Sequence, residues 1–181
     1  MNPEHGTMDM DDRPAERGAL SVTERVASRR AELLALQNLP RGLAAGAAAG
    51  LTGAIIWAAI TALTGYQIGF MAVGIGLLVG YAVRYLGNGI TPVFGVVGAA
   101  CALLACIVGN LFYICYVASN IESIPLTRAV ELVLTHPAAA LELLGETFHP
   151  MDVLFYGIAV YEGYRFSFRK VDWVAEAHEA V

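Results

Sequence analysis

Charged residues are scarce in this sequence of 181 amino acids. Lys, Arg, Asp and Glu together make up 15% of the chain, whereas hydrophobic residues make up 57% and the mean hydropathy is +0.59. Soluble domains carry about 25% charged residues, so the composition excludes an ordinary water-soluble domain. The net charge is −5, and no cluster of Lys and Arg interleaved with aromatic residues indicates a nucleic-acid track. We therefore expect no nucleic-acid partner.

Recognisable catalytic and metal-binding motifs are missing as well. The chain has no G-x-S-x-G, no H-E-x-x-H and no P-loop. Its three cysteines, Cys101, Cys106 and Cys115, lack CxxC spacing and fall in one apolar run, so we interpret them as small core residues. His136 and His149 are separated by a predicted helix, which is not a ligand pattern. We expect neither a metal nor another cofactor.

Long uncharged runs are what the sequence has instead. A helix needs roughly 20 residues, at about 1.5 Å each, to cross about 30 Å of hydrocarbon. Lipid offers no partner for an unpaired backbone group, so such runs must be helical. Three runs meet or nearly meet this length: 42–63, 68–83 and 93–117.

A fourth run, 151–168, is interrupted by charged residues and is assigned from charge asymmetry. Lys and Arg near span ends are retained on the cytoplasmic side of a membrane. If the fourth run crosses, ten of the eleven basic residues lie on one side and only Arg128 lies on the other. The sequence therefore predicts an all-α bundle with four transmembrane helices and with both termini cytoplasmic, in a 40–170 membrane domain.

The polar segments around these runs have predicted structures of their own. Residues 1–20 and 171–181 are expected to be cytoplasmic tails, the first of them disordered. The sequence from Ser21 to Glu24 matches a capping box and predicts an amphipathic cytoplasmic helix over 21–39. Its basic residues could rest on anionic lipid headgroups, or the helix could be a solvated linker.

The outer segment, 118–150, is predicted to hold two short interfacial helices. Pro125 and Pro137 each stand where a helix could begin, and Gly145 stands where the second could end. Each helix would place its apolar residues on one face. The pair is interpreted as a connector in the membrane interface, with a lid or docking surface as the alternative.

Glycines recur at four-residue intervals in the first three runs. Gly42, Gly46 and Gly50 share one stripe of the first run, and the same spacing continues with Gly76 and Gly80 in the second. In the third run, Gly98 begins a similar series of small residues. Such stripes let helices approach closely in lipid. They would either pack the bundle internally or join copies of the chain through the first run.

Few polar residues fall within the predicted spans, and such residues are often functional because burying them in lipid is unfavourable. They are Asn110, Gln67, Asp152, Glu162 and Arg84. Glu162 could pair with Arg165 or Arg84, or could form a proton or ion relay with Asn110. The aromatic residues near the fourth run are interpreted as interfacial anchors: Tyr156, Tyr161, Tyr164, Phe166, Phe168 and Trp173.

Two stretches carry a family resemblance: GYQIGFMAVGIGLLVGYAVR at 65–84 and MDVLFYGIAVYEGYRFSFR at 151–169. Across about 40–170 the chain resembles a family of small four-span bacterial inner-membrane proteins, some of which carry a zinc-binding module at the N-terminus. Here the N-terminal segment has no Cys and only His5, so zinc binding is not carried over. The resemblance implies a bacterial inner membrane and no particular activity.

Three classes of function remain. The one we expect is a non-enzymatic packing or assembly module, acting with itself or with another membrane protein through small-residue faces. The second is a small oligomeric channel or transporter, with Asn110, Gln67 and Glu162 facing a pathway. The third is a membrane enzyme or its accessory subunit, for which the available residues are His136, His149 and Asp152.

Overall fold

The computed structural model describes residues 13–65, 69–147, 150–173 and 175. Within these ranges the protein has seven helices and no strand, which confirms the all-helical prediction. The helices are α1 (Arg13–Ala35), α2 (Leu39–Thr64), α3 (Phe70–Gly87), α4 (Pro92–Ile121), α5 (Leu126–Thr135), α6 (Pro137–Thr147) and α7 (Pro150–Phe166).

Helices α2, α3 and α4 are long and apolar enough to cross a membrane, by length and composition. They contain 26, 18 and 30 residues and match the first three predicted runs, although their ends differ by up to four residues. Capping explains the difference. The side chain of Asn38 accepts a hydrogen bond from Arg41 N at 2.9 Å, so α2 begins before the uncharged run. Asn88 ends α3 in the left-handed conformation, at φ 49°.

Helices α2, α3, α4 and α7 pack into one bundle. Helices α3 and α4 contact each other, and each of them contacts both α2 and α7. In these fully described helices, no Cα atom of α2 lies within 8 Å of one of α7. Helices α2 and α7 therefore flank the α3–α4 pair. Trp57, Val79, Val83 and Cys106 are among the side chains enclosed at the centre.

The connecting helices α5 and α6 form where the sequence predicted two short helices. Both pack against α4 and against each other. The predicted end of the second helix at Gly145 is wrong, since α6 continues to Thr147. A glycine inside a helix is unfavourable by only about 1 kcal/mol relative to alanine, which the flanking residues can offset.

Helix α1 and the described residues from Lys170 onward form a unit separate from the bundle. Within this unit the guanidinium carbon of Arg30 lies 5.8 Å from the centroid of the Trp173 ring. The predicted helix at 21–39 overlaps α1 over residues 21–35 only, and α1 begins at Arg13, so residues 13–20 are helical rather than disordered. Pro14 is well suited to a first helical turn and precedes good helix formers. Residues 1–12 lie outside the described part.

The glycine stripe of α2 is buried between α3 and α4. A Cβ atom added to Gly46 would lie 2.6 Å from Cγ2 of Val83, and one added to Gly50 would lie 3.0 Å from the Ala105 Cβ. At Gly42 the added atom would lie 3.1 Å from the Phe94 ring. These three glycines therefore pack the bundle internally, and their stripe is not available to another copy.

The remaining predicted glycines bring α7 against its neighbours. A Cβ atom on Gly76 would lie 2.6 Å from the carbonyl oxygen of Ala159, and one on Gly80 would lie 2.9 Å from the Phe166 Cβ. A Cβ atom on Gly98 would overlap the Gly163 carbonyl and the Ser167 hydroxyl. Helix α7 thus approaches α3 and α4 at backbone distance.

We predict that Gly76→Ala destabilises the bundle and that Gly74→Ala does not. The methyl group at residue 76 would meet backbone atoms of α7, and overpacking of this kind usually costs about 1–3 kcal/mol. Gly74, on the same helix, has nothing within 4 Å of an added Cβ. Its replacement should be neutral or stabilising by up to about 1 kcal/mol, through helix propensity. Thermal unfolding of both variants in the same detergent is the measurement, and equal stability would contradict the close α3–α7 contact.

Candidate functional site

The buried polar side chains of the bundle lie near its two ends. They are Thr61, Asn110, Asp152 and Ser167. The first three lie towards the end where α2 stops and α7 starts, and Ser167 follows α7 at the other end. Gln67, another of the polar residues predicted within the spans, lies outside the described residues. Because buried polar groups in a membrane need partners, their contacts identify the candidate site.

A hydrogen-bonded pair joins α4 to α7 inside the bundle. The side-chain amide of Asn110 donates to the hydroxyl oxygen of Tyr156. That hydroxyl in turn donates to the carbonyl oxygen of Cys106 at 3.3 Å. The Tyr156 ring also makes an edge contact with Trp57, with centroids 6.4 Å apart and planes at 81°. Asn110 is thus a buried interhelical donor.

Two of the predicted aromatic anchors are instead core residues. Tyr156 is 8% exposed and Phe168 is 9% exposed. Phe168 packs edge-on against Tyr164, with ring centroids 5.6 Å apart. The sequence pattern placed all these aromatics together because they follow one another closely along the chain. Only the helical register separates Tyr156, which points inward, from Tyr161, which is 64% exposed.

Asp152 shares the buried face of α7 with Tyr156. It lies one helical turn before Tyr156 and is 8% exposed. The same face continues with Ala159 and Gly163, where α7 meets α3 and α4. The sequence singled out Asp152 as a polar residue within a predicted span, and the structure buries it inside the bundle.

At the opposite end of the bundle, the connection between α3 and α4 forms hydrogen bonds with the segments before α2 and after α7. Asn38 N donates to the Gly87 carbonyl at 2.9 Å, and Arg169 N donates to the Gly89 carbonyl at 2.8 Å. The side-chain oxygen of Gln37 accepts from the Thr91 hydroxyl at 2.9 Å. The start of α2 and the chain after α7 are therefore tied to one short connection. Sequence reasoning missed Gln37 and Thr91, because polar residues beside a span are normally read as solvated.

Ser167 is the second buried group that sequence reasoning missed. Its hydroxyl donates to the Gly163 carbonyl at 2.5 Å, beside the position of Gly98. This bond stays within the chain segment that ends α7 and satisfies the hydroxyl locally. The only sequence signal was the small size of serine among aromatic residues.

The predicted ion pair of Glu162 is not formed. Neither Arg84 nor Arg165, both within the described residues, lies within 4.0 Å of its carboxylate. One carboxylate oxygen of Glu162 is buried without a hydrogen-bond partner, whereas Arg165 is exposed. The guanidinium carbon of Arg84 lies 5.7 Å from the centroid of the Tyr85 ring. Three-residue spacing put Glu162 and Arg165 on one side of a helix, but their side chains extend into different surroundings.

The residues considered for catalysis are not assembled in the described part. His136 is exposed just after α5, Asp152 is buried in α7, and His149 lies outside the described residues. Among the described residues, no group of three or more His, Cys, Asp and Glu side chains is placed to hold a metal ion. The three cysteines are buried and free, which confirms their interpretation as core residues.

Comparison with known proteins gives no functional lead. No family model, no curated protein and no solved structure matches this chain. The contacts of the chain itself are therefore the basis for assigning its function. In those contacts the amide of Asn110 and the hydroxyl of Tyr156 join two helices, and the hydroxyl of Ser167 bonds to a carbonyl of its own segment. Polar groups have such structural roles in stable membrane bundles.

We predict that Tyr156→Phe destabilises the bundle by about 1–2 kcal/mol, because it removes the hydroxyl that accepts a hydrogen bond from the buried amide of Asn110. Tyr161→Phe is the matched control, since Tyr161 is exposed on the same helix and should change stability by less than about 0.5 kcal/mol. A double-mutant cycle with Asn110→Leu should show that the two losses are not additive. Additive losses would mean that Asn110 and Tyr156 act independently.

Proposed function

We propose that the chain is a four-span protein of a bacterial inner membrane, with both termini in the cytoplasm. The fourth span is α7, whose 17 residues would extend over about 26 Å. It is supported by the way the side chains of α7 are distributed. Asp152, Tyr156 and Gly163 face the bundle, whereas apolar side chains including Val153 and Leu154 are exposed, as a lipid-facing surface requires.

The contact between Arg30 and Trp173 supports an even number of crossings. Arg30 precedes every candidate span, and Trp173 follows all of them, yet both belong to one compact unit. Two segments in contact must lie on the same side of a membrane. The bonds from Asn38 and Arg169 to the α3–α4 connection agree, because they place the start of α2 and the end of α7 at one end of the bundle.

The connecting helices α5 and α6 are proposed to lie in the outer interface. Both expose leucines that would otherwise face water, among them Leu126, Leu134 and Leu141. Their acidic residues, including Glu131 and Glu142, are exposed as well. A helix with exposed apolar and exposed charged sides suits the boundary between headgroups and acyl chains.

Cysteine labelling tests this topology. In a background with Cys101, Cys106 and Cys115 replaced by alanine, single cysteines are placed at the exposed positions Thr23, Glu142 and Asp172. We expect a membrane-impermeant maleimide to label the cysteine at 142 in intact spheroplasts, and the other two only after permeabilisation. Labelling of residue 172 from outside would mean that α7 does not cross.

Within this architecture, we infer that the protein is a non-enzymatic assembly module. The observation that carries this inference is the filled interior of the bundle. At Gly46, Gly76 and Gly163 the space between helices is too small for one methyl group without displacement of its neighbours. A water-filled pathway through the centre of a single chain has no room at these levels, and the polar groups of Asn110 and Tyr156 bond to each other. The geometry favours a rigid body that acts through its outer surface.

The outer surface of α2 is the proposed contact with a second copy. Ala44, Ala48 and Thr52 are exposed at four-residue intervals on the side opposite the buried glycines. The Thr52 hydroxyl donates to the Ala48 carbonyl at 2.9 Å, so this face presents no unsatisfied polar group. Small residues permit close approach of helices in lipid, and a self-complementary face gives a closed dimer.

Native mass determination of the gently extracted protein tests this assembly. We expect a discrete homo-oligomer that dissociates in Ala48→Trp, since a large side chain would block the α2 face. Leu104→Trp is the control, because Leu104 is exposed on α4 and outside the proposed contact. A wild-type monomer, or an oligomer unaffected by Ala48→Trp, would contradict the proposed interface. An oligomer that conducts ions after reconstitution would favour the channel alternative.

A further inference from the structure

Two aromatic rings fill the space between α2 and α7 at one level of the bundle. These helices have no Cα atoms within 8 Å of each other, and the gap is bridged by Trp57 and Tyr156, whose ring centroids are 6.4 Å apart. Helix α2 runs towards Thr64 at this end and α7 runs away from it. One turn outward, the corresponding residues are therefore Thr61 on α2 and Asp152 on α7. Both have much shorter side chains than the rings.

The hydroxyl of Thr61 differs from the hydroxyls of three other helical threonines in the described part of the chain. Thr52, Thr64 and Thr135 each donate to the carbonyl oxygen four residues earlier, at 2.8–2.9 Å. Thr61 is 1% exposed, and its hydroxyl oxygen is buried without any hydrogen-bond partner. A buried hydroxyl normally has a partner, because an unpaired one is unfavourable by about 1–3 kcal/mol. This exception needs a physical reason.

The groups around Thr61 carry negative charge or partial negative charge. Asp152, which is 8% exposed, follows Tyr156 one turn outward on α7, as Thr61 follows Trp57 on α2. Thr61 also lies in the last turn of α2, which ends at Thr64. The last four carbonyls of a helix have no acceptor role within it, and they give the C-terminus a partial negative charge that favours cations. Of these carbonyls, that of Thr61 accepts from Gly65 N at 2.9 Å.

We propose that this outer layer of the bundle binds a monovalent cation, with the Thr61 hydroxyl and the Asp152 carboxylate as its side-chain ligands. Hard cations prefer oxygen ligands of this kind, namely carboxylate, hydroxyl and backbone carbonyl. The cation gives the Thr61 hydroxyl oxygen a partner, and the carboxylate supplies a second oxygen ligand of opposite charge. It connects α2 to α7, the two bundle helices whose backbones do not meet. The Trp57–Tyr156 contact closes the site on its inner side.

The stability of the purified full-length chain in different salts tests this site. Thermal unfolding is followed in detergent with sodium, potassium or ammonium chloride, each compared with N-methylglucamine chloride at equal ionic strength. N-methylglucamine is too large for the site, so it supplies the reference. We expect at least one of the small cations to raise Tm by a few degrees, with saturation as its concentration increases. If sodium or potassium raises Tm most, the ligand is an inorganic cation; if ammonium raises it most, the ligand is an ammonium group.

Three variants distinguish the loss of a cation ligand from a general loss of folding stability. Thr61→Val keeps the side-chain shape and removes the hydroxyl, so it should abolish the cation-dependent rise in Tm. In N-methylglucamine it should be at least as stable as the wild type, because an unpaired buried hydroxyl has been removed. Asp152→Asn should also abolish the rise. Thr135→Val, at an exposed position on α5, should retain it.

Saturable binding of radioactive sodium or rubidium gives a readout that does not depend on stability. It should be present in the wild type and in Thr135→Val, and lost in Thr61→Val. The proposal is overturned if no small cation raises the wild-type Tm above the reference. It is equally overturned if the rise is the same in Thr61→Val and Asp152→Asn as in the wild type.

Discussion

The contact between α7 and the α3–α4 pair is the constraint on which the rest of this structure depends. Helix α7 is the least apolar of the four bundle helices, and it carries Asp152, Glu162 and Arg165. It is held because Gly76 and Gly163 let backbones meet, with added Cβ atoms only 2.6–2.7 Å from the carbonyl oxygens of Ala159 and Gly98. In lipid, where apolar surface gains little by leaving the solvent, such contacts and interhelical hydrogen bonds are the main sources of cohesion.

Hydrogen bonds between polar groups also fix how the packed helices are rotated and aligned against one another. The bonds among Asn110, Tyr156 and Cys106 fix the rotation of α7 against α4, since no other rotation pairs the amide with the phenol. At the other end, the α3–α4 connection accepts backbone hydrogen bonds from Asn38 and Arg169. The bundle is therefore held near both ends by hydrogen bonds and between them by small residues. A body closed in this way presents its outer faces, rather than an internal passage, to other molecules.

Several elements could be predicted because their cause is local. The uncharged runs around α2, α3 and α4 exceed or approach the length of a membrane crossing, and Pro125 and Pro137 mark the two connecting helices α5 and α6. Boundaries were less predictable, because α2 starts at a cap, and hydropathy does not detect caps. The glycine stripes indicated close packing, but a four-residue interval is the same whether the partner is another helix of the chain or another copy.

The sequence by itself determined that the chain is helical, apolar and built around several long helices, because chain length, charge scarcity and backbone hydrogen bonding in lipid depend only on composition and order. The tertiary structure decided which polar residues meet. Tyr156 and Tyr161 look alike in the sequence, yet one bonds to Asn110 and the other is exposed. Trp57 and Tyr156 are 99 positions apart in the numbering, and their rings meet only because α2 and α7 flank the same helix pair. Such encounters depend on helix rotation and register, which are set by contacts between segments distant along the chain.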